Sequence, residues 1–203
     1  MRRSIRRVAV AGLIAGAVWY PATAVQAAPA ARYQAVAAAS AALPAESVWL
    51  ADVTVVTNQA SAYLSTRLPD ASVKAAIVLD IDNTSLETTY TTGLVYPATP
   101  PVLALALQAK KAGAAVFFVT ARTQLIDAVT RSNLSDVGYP IDGMYSRPVL
   151  DFESNQSLKT NARIAIEKLG YTIVANVGNS ATDLAGGHAE RTFKLPDYDG
   201  ALS

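Results

Sequence analysis

Three stretches of the chain, Ala75 to Leu79, Ala114 to Val119 and Tyr171 to Val177, carry few polar side chains on either alternating face. Short runs of this kind read as strands covered on both sides, as in a parallel sheet. Between them the apolar period changes. From Ala45 to Leu68 the residues Val48, Trp49, Val53, Val56, Ala60, Tyr63 and Leu64 recur at helical spacing, and Pro69 closes the segment. Val102 to Ala112 predicts a helix ended by Gly113, and Thr123 to Val137 another; one more opens at Ser157-Leu158-Lys159-Thr160 and runs to Leu169, with Gly170 as its cap. Short strands are expected near Gly143 to Tyr145 and Phe193 to Pro196, with a loop from Arg147 to Asn155. Strands alternating with helices predict an α/β fold, a three-layer sandwich around a parallel sheet.

The chain has 203 residues, 51% hydrophobic and 16% charged, which suits one domain with ample core. Residues 1–27 follow a different pattern. Arg2, Arg3, Arg6 and Arg7 give a basic start, Val8 to Val18 an apolar centre, and Val25-Gln26-Ala27 a small-residue cleavage site. This is the pattern of a secretory signal peptide cut after Ala27, so a secreted, extracellular protein is expected. The paired arginines hint at twin-arginine export without its full motif. Because Pro21 interrupts the apolar run, which falls short of the ~20 residues a bilayer needs, stable membrane anchoring is not expected. The remainder, 28–203, reads as a single domain. In it 28–74 is a helical extension with an alanine-rich start, and 75–203 is the core.

Without its first four arginines the chain has 13 basic and 16 acidic residues, so nothing points to a nucleic-acid polymer as partner. The absence of cysteine excludes disulfides, thiol chemistry and Cys-based zinc sites. A metal would be held by oxygen ligands, which suit magnesium (Mg2+) better than softer ions.

The chemistry gathers at Asp80-Ile81-Asp82-Asn83-Thr84, directly after the first apolar strand. In parallel sheets ligands collect at the carboxyl ends of strands. Two carboxylates held there repel each other and are costly to desolvate unless a cation or hydrogen-bond donor compensates. A helix-loop-helix calcium site requires Gly at its sixth position and Glu at its twelfth; counted from Asp80 those are Ser85 and Thr91, which excludes it. Lys159, near a helix start, opposes the helix dipole and is either an exposed lysine or a candidate for the missing cation. Thr120-Ala121-Arg122 ends the second apolar strand, where a strand-to-helix turn offers N–H groups to an anion. Arg122 either adds a charge-assisted contact to phosphate or sits on the surface. His188, the lone histidine, has no nucleophile motif beside it and reads as a surface or loop residue. Trp49 lies on an apolar stripe and reads as core rather than as a ring-stacking platform.

Asp80-Ile81-Asp82-Asn83-Thr84 resembles the D-x-D-x-T motif of the haloacid-dehalogenase (HAD) superfamily, and within it the chain resembles the small secreted acid phosphatases. Thr120, Lys159 and Gly178-Asn179-Ser180-Ala181-Thr182-Asp183 are similar to the later motifs, in the same order. The resemblance implies a Rossmann-like sheet with a minimal cap insertion. It implies that Asp80 attacks phosphorus, Asp82 acts as general acid and base, and Thr120, the Ala121 amide and Lys159 bind phosphoryl oxygens, beside which Arg122 is a further candidate contact. It also implies Mg2+ on Asp80, the Asp82 carbonyl, and Asn179 or Asp183. The first acidic position of the last motif is here Asn179, which can coordinate the metal but brings no negative charge. Specificity caps of the superfamily sit at Glu87 to Pro101, here a short flap whose Tyr90 and Tyr96 either touch substrate or brace the loop.

The expectation is a Mg2+-dependent acid phosphatase acting on a small phosphate monoester through an aspartyl-phosphate. The alternatives are a non-catalytic extracellular binding or storage protein on the same scaffold, and an enzyme that passes the phosphoryl group to another alcohol.

Overall fold

Five strands pair in parallel as one sheet in the order β3-β2-β1-β4-β5. They are β1 (Ala75–Leu79), β2 (Ala115–Thr123), β3 (Gly143–Arg147), β4 (Thr172–Gly178) and β5 (Arg191–Lys194). The structure is a computed structural model that describes residues 43–93 and 95–202. The expected signal peptide, and all but Leu43 of the alanine-rich stretch after it, lie outside the described residues.

β1 is central, and its alternation builds both cores. Ile77 and Leu79 point to the face that α1 (Glu46–Arg67), α2 (Pro100–Lys111) and α3 (Asp127–Asp136) cover, where they join Trp49, Leu64, Leu105, Phe118 and Leu134. Ala76 and Val78 point the other way, to Phe117, Val119, Ile173 and the Ala162 and Ile166 of α4 (Asn155–Lys168). Both faces are therefore covered, which is why β1 has no polar side chain until Asp80. Each large apolar side chain taken fully from water contributes about 1.5–3 kcal/mol. Among the described residues no helix is long and apolar enough to cross a membrane.

Several boundaries differ from expectation for physical reasons. α2 begins at Pro100, before Val102, because proline lacks only an N–H that a first helical turn leaves unpaired. β2 runs on through Thr120, Ala121 and Arg122 to Thr123, which pairs with Arg147 of the edge strand after an irregularity. The helix expected from Thr123 is instead a single 3-10 turn (Gln124–Ile126) followed by α3. α4 starts at Asn155, where the Ser154 hydroxyl accepts from the Ser157 amide as an N-cap. On α1, Val48 is exposed, and Thr57 takes a place on the buried stripe with its hydroxyl donating to the Val53 carbonyl. The short helix α5 (Ala181–Leu184) has no counterpart in the sequence reading.

From β1 the chain proceeds to β2 and β3 on one side of the sheet, whereas β4 and β5 lie on the other. Loops leaving β1 and β4 diverge at this switch point and open a crevice at the carboxyl end of the sheet.

One carboxyl beside this loop carries a pH prediction. Glu87 is 4% exposed, and burial, a hydrogen bond to Glu46 and repulsion by it push its carboxyl up to about 7. Between the ordinary carboxylate range and pH 7 the folded chain holds a proton that the unfolded chain releases, so stability falls as pH rises through that window. Glu87→Gln is expected to stabilise the protein by about 2 kcal/mol at pH 8 and by almost nothing at pH 4. Urea unfolding at the two pH values measures this; an equal gain at both would show that the carboxyl titrates normally.

Candidate active site

Asp80 continues the β1–β4 ladder by one residue, its amide donating to the Val177 carbonyl at 3.0 Å. The chain then closes a tight turn. The Ile81 carbonyl accepts from the amides of Thr84, Ser85 and Leu86, and Asn83 takes a left-handed conformation (φ 51°), which asparagine tolerates better than most residues. The Ser85 hydroxyl donates to the Asp80 carbonyl at 2.6 Å. Asn83 donates to the Leu202 carbonyl and accepts from the Thr88 hydroxyl and the Thr89 amide, so the turn is tied to the flap and to the carboxyl-terminal segment.

Lys159 reaches into this turn from the second turn of α4. Its ammonium donates to Asp80 Oδ1 at 2.6 Å and to Asp183 Oδ1 at 2.5 Å, with all three residues buried. Asp183 is fixed from several sides. Its Oδ2 accepts from the Ser180 amide in a capping box, and its carbonyl accepts from Asn176 Nδ2 and Arg163 Nη1. Arg163, fully buried, also donates to the carbonyls of Gly187 and Ala185. Sequence reasoning missed Arg163 and Asn176. The available signal was phase: Lys159, Ala162, Arg163 and Ile166 form the buried stripe of α4, and two cations on a buried stripe require anionic or carbonyl partners.

Two carboxylates face one ammonium in this buried triad. Burial dominates at Asp80 and, with repulsion from Asp183 and Asp82, outweighs the Lys159 attraction and pushes the carboxyl up to about 6. At Lys159 burial works against the charge, but Asp80 and Asp183 outweigh it and hold the ammonium above its ordinary value. The two directions agree physically: the lysine keeps its proton, and the surplus negative charge makes Asp80 reluctant to ionise.

Asp82 stands at the mouth, with its side chain 44% exposed. Arg122 grips it through Nε to Oδ2 at 3.0 Å and Nη2 to Oδ1 at 2.7 Å, a bidentate pair. The guanidinium is held in turn by Thr130 Oγ1 at 3.3 Å and lies over the Tyr96 ring, 5.5 Å from its centroid. Thr120 is buried at the neighbouring strand end, and its hydroxyl accepts from the Arg122 amide at 3.1 Å. The register pairs Leu79 with Phe118, so Asp80 and Thr120 follow at adjacent strand ends, with Ala121 next in β2.

Asn179 sits across the crevice. Its Oδ1 accepts from the Thr84 hydroxyl at 3.1 Å, its Nδ2 donates to the Leu202 carbonyl at 2.7 Å, and its amide N–H donates back to Thr84 Oγ1. Its side chain therefore ties three segments together. The two flap tyrosines have different surroundings. Tyr90 stacks on the buried Trp49 ring at 4.9 Å and donates to the Pro44 carbonyl, which braces the loop, whereas Tyr96 faces Arg122. Trp49 is core, and His188 bonds Glu167 on the surface at 2.6 Å.

Oxygen donors near the crevice are of the kind a hard cation takes: the Asp80 carboxylate, the Asp82 main-chain carbonyl and the Asn179 amide oxygen. Their charge is low. Among the described residues no group of three or more His, Cys, Asp or Glu side chains is placed to hold a metal, and the Asp183 carboxylate is engaged by Lys159 and Ser180.

Comparison with known proteins places the chain in a family. The chain is 34% identical over 109 residues to the stem 28 kDa glycoprotein of Glycine max, covering 50% of this chain and 42% of that protein. A match of the same identity to the stem 31 kDa glycoprotein of Glycine max covers 36% of it, so the chain spans about two fifths of the length of these curated relatives. In fold it is similar to the class C acid phosphatase from Bacillus anthracis, with a TM-score of 0.61 at 18% identity, over 77% of this chain and 83% of that one. The family model for the acid phosphatases of HAD subfamily IIIB matches residues 89–201, which hold Thr120, Lys159, Asn179 and Asp183 and begin downstream of Asp80 and Asp82. The chain accordingly belongs to the HAD superfamily, subfamily IIIB, the acid phosphatase family.

Proposed function

We propose that the chain is an exported, Mg2+-dependent acid phosphatase that hydrolyses small phosphate monoesters through an aspartyl-phosphate. The observation that carries this reading is the buried Asp80–Lys159–Asp183 triad beside an exposed, Arg-gripped Asp82. A carboxylate oxygen of Asp80 bonds to phosphorus as the ester P–O bond breaks, and Asp82, protonated in the substrate complex once Arg122 has turned to the phosphate, gives that proton to the departing alkoxide. Asp82 then takes a proton from water, whose oxygen bonds to phosphorus as the Asp80–phosphorus bond breaks, which returns both carboxyls to their starting state. Lys159 and the Thr120 hydroxyl hold the transferring oxygens, with the Ala121 amide beside them. Arg122 moves part of its hydrogen bonding from Asp82 to phosphate, which frees the acid to turn to the leaving group. Asp80, the Asp82 carbonyl, and Asn179 or Asp183 would hold Mg2+, which would supply the positive charge that lets one anion approach another.

Family membership and the buried triad support hydrolysis, while the basic start, apolar centre and small-residue site of residues 1–27 support export. The name glycoprotein carried by the soybean relatives is in keeping with the same route. On this reading 28–203 is one phosphatase domain, with a small phosphate ester as partner and no nucleic-acid polymer. A panel of aryl, sugar and nucleoside phosphates, assayed with and without divalent cation, tests it; no turnover of any ester would remove it. Transfer to an alcohol other than water uses the same residues and is read in the same assay from the product formed with added glycerol.

A second reading, a non-catalytic binding or storage protein, is favoured by one observation: Asn179 carries no charge and is bonded to Thr84 and Leu202. Calorimetric titration of magnesium separates the two. Wild type is expected to bind, and Asn179→Asp to bind at least about tenfold more tightly, because a carboxylate adds charge to the donor set. A silent wild type beside a binding variant would favour the storage reading.

A further inference from the structure

We infer that Asn133, on α3, is a positioning residue that sets selectivity for the leaving group by fixing Tyr96 of the flap against Arg122. This rests on the phosphomonoesterase reading and adds a residue that makes no contact with phosphate. Asn133 is 4% exposed, and its side chain pairs with both backbone groups of one residue: Oδ1 accepts from the Tyr96 amide and Nδ2 donates to the Tyr96 carbonyl, each at 2.8 Å. An amide side chain here does what a neighbouring strand does for a ladder residue. The described flap residues around Tyr96 form no helix or strand; Ala98 bridges Leu86 and the Pro97 carbonyl accepts from the Glu87 amide, and the Asn133 grip adds the bonds that fix Tyr96 itself.

Three residues earlier on the same buried face, Thr130 accepts from Arg122 Nη1. One face of α3 therefore holds both halves of a wall, the half-buried Tyr96 ring and the guanidinium stacked on it at 5.5 Å. Arg122 in turn bonds both oxygens of Asp82, the group that protonates the leaving oxygen. A leaving group departing toward Asp82 therefore meets Tyr96, while on the phosphatase reading Lys159 and Thr120 take the phosphoryl oxygens without touching Tyr96. Arg122 keeps its bonds to Asp82 and Thr130 when Asn133 is changed, so loosening Asn133 is felt by the leaving group and not by phosphate.

Asn133→Ala is expected to raise KM for an aryl phosphate about tenfold with kcat held within about twofold, and to leave inhibition by inorganic phosphate unchanged. Tyr96→Ala is expected to do the same. The double variant is expected to be no worse than either single one, because both act through the same ring. An unaltered KM in Asn133→Ala, a parallel weakening of phosphate inhibition, or additive losses in the double variant would each overturn the inference. Should Asn133→Ala not fold, Asn133→Asp, which keeps the acceptor for the Tyr96 amide but sets an oxygen against the Tyr96 carbonyl, takes its place with the same readouts. A wild type that hydrolyses no ester sinks the phosphatase reading itself, and this inference with it.

Discussion

Asp80→Asn is expected to lower hydrolysis of an aryl phosphate at least about 10^4-fold while the protein stays folded. Asparagine matches aspartate in size, and its Oδ1 still accepts from the Lys159 ammonium that sits 2.6 Å from Asp80. What it lacks is a carboxylate oxygen able to bond to phosphorus. The variant also removes a charge that the fold disfavours, since burial first and the neighbouring carboxylates next push Asp80 up to about 6. With one carboxylate left to face one ammonium, thermal unfolding in metal-free buffer at pH 7 is expected at or above the wild-type temperature. Loss of turnover without loss of stability separates a nucleophile from a structural carboxylate. Unchanged turnover would eliminate the aspartyl-phosphate route, and an unfolded variant would give Asp80 a structural role instead.

What the sequence discloses about this region depends on which forces leave a local trace. β1 was readable to the residue because burial on both faces excludes polar side chains from Ala75 to Leu79, and the pattern breaks at Asp80. In the sequence β2 ends at Val119, because Thr120, Arg122 and Thr123 read as a turn; the strand continues to Thr123, which pairs with the distant Arg147 after an irregularity and so leaves no local trace. The helix-dipole argument for Lys159 does not survive. Ser154 caps α4 and puts Lys159 in its second turn, so the two carboxylates alone explain why an ammonium is buried there. Asn179 was legible as a missing charge but not as a tether, because its partners Thr84 and Leu202 are distant in the chain. Asn133 left no mark, since a polar residue on a short helix is ordinary until its two bonds to Tyr96 are visible.

Gly178→Ala is expected to lower turnover at least about 100-fold and to destabilise the fold by about 2–3 kcal/mol. A Cβ at this position would lie 2.4 Å from both the Cβ and the Oδ2 of Asp183 and 2.7 Å from its Cγ, closer than real carbon contacts allow. Neither side can yield easily. Gly178 is the last residue of β4, in register with Lys194, and its carbonyl accepts from the Leu195 amide at 2.9 Å. Asp183 is held by the Ser180 amide, Lys159, Asn176 and Arg163. Glycine is thus required by the close approach of backbone and carboxylate. Relief of the clash displaces Asp183, which frees the Lys159 ammonium from one of its two anchors and shifts it relative to Asp80. Asp183→Gly added to Gly178→Ala removes the overlapping atoms, so the double variant is expected to melt above the Gly178→Ala single variant although it lacks one more native side chain. A Gly178→Ala protein with wild-type melting and turnover would mean that the 178–184 loop repositions freely, and that rigid placement of Lys159 between its two carboxylates is not what the reaction needs.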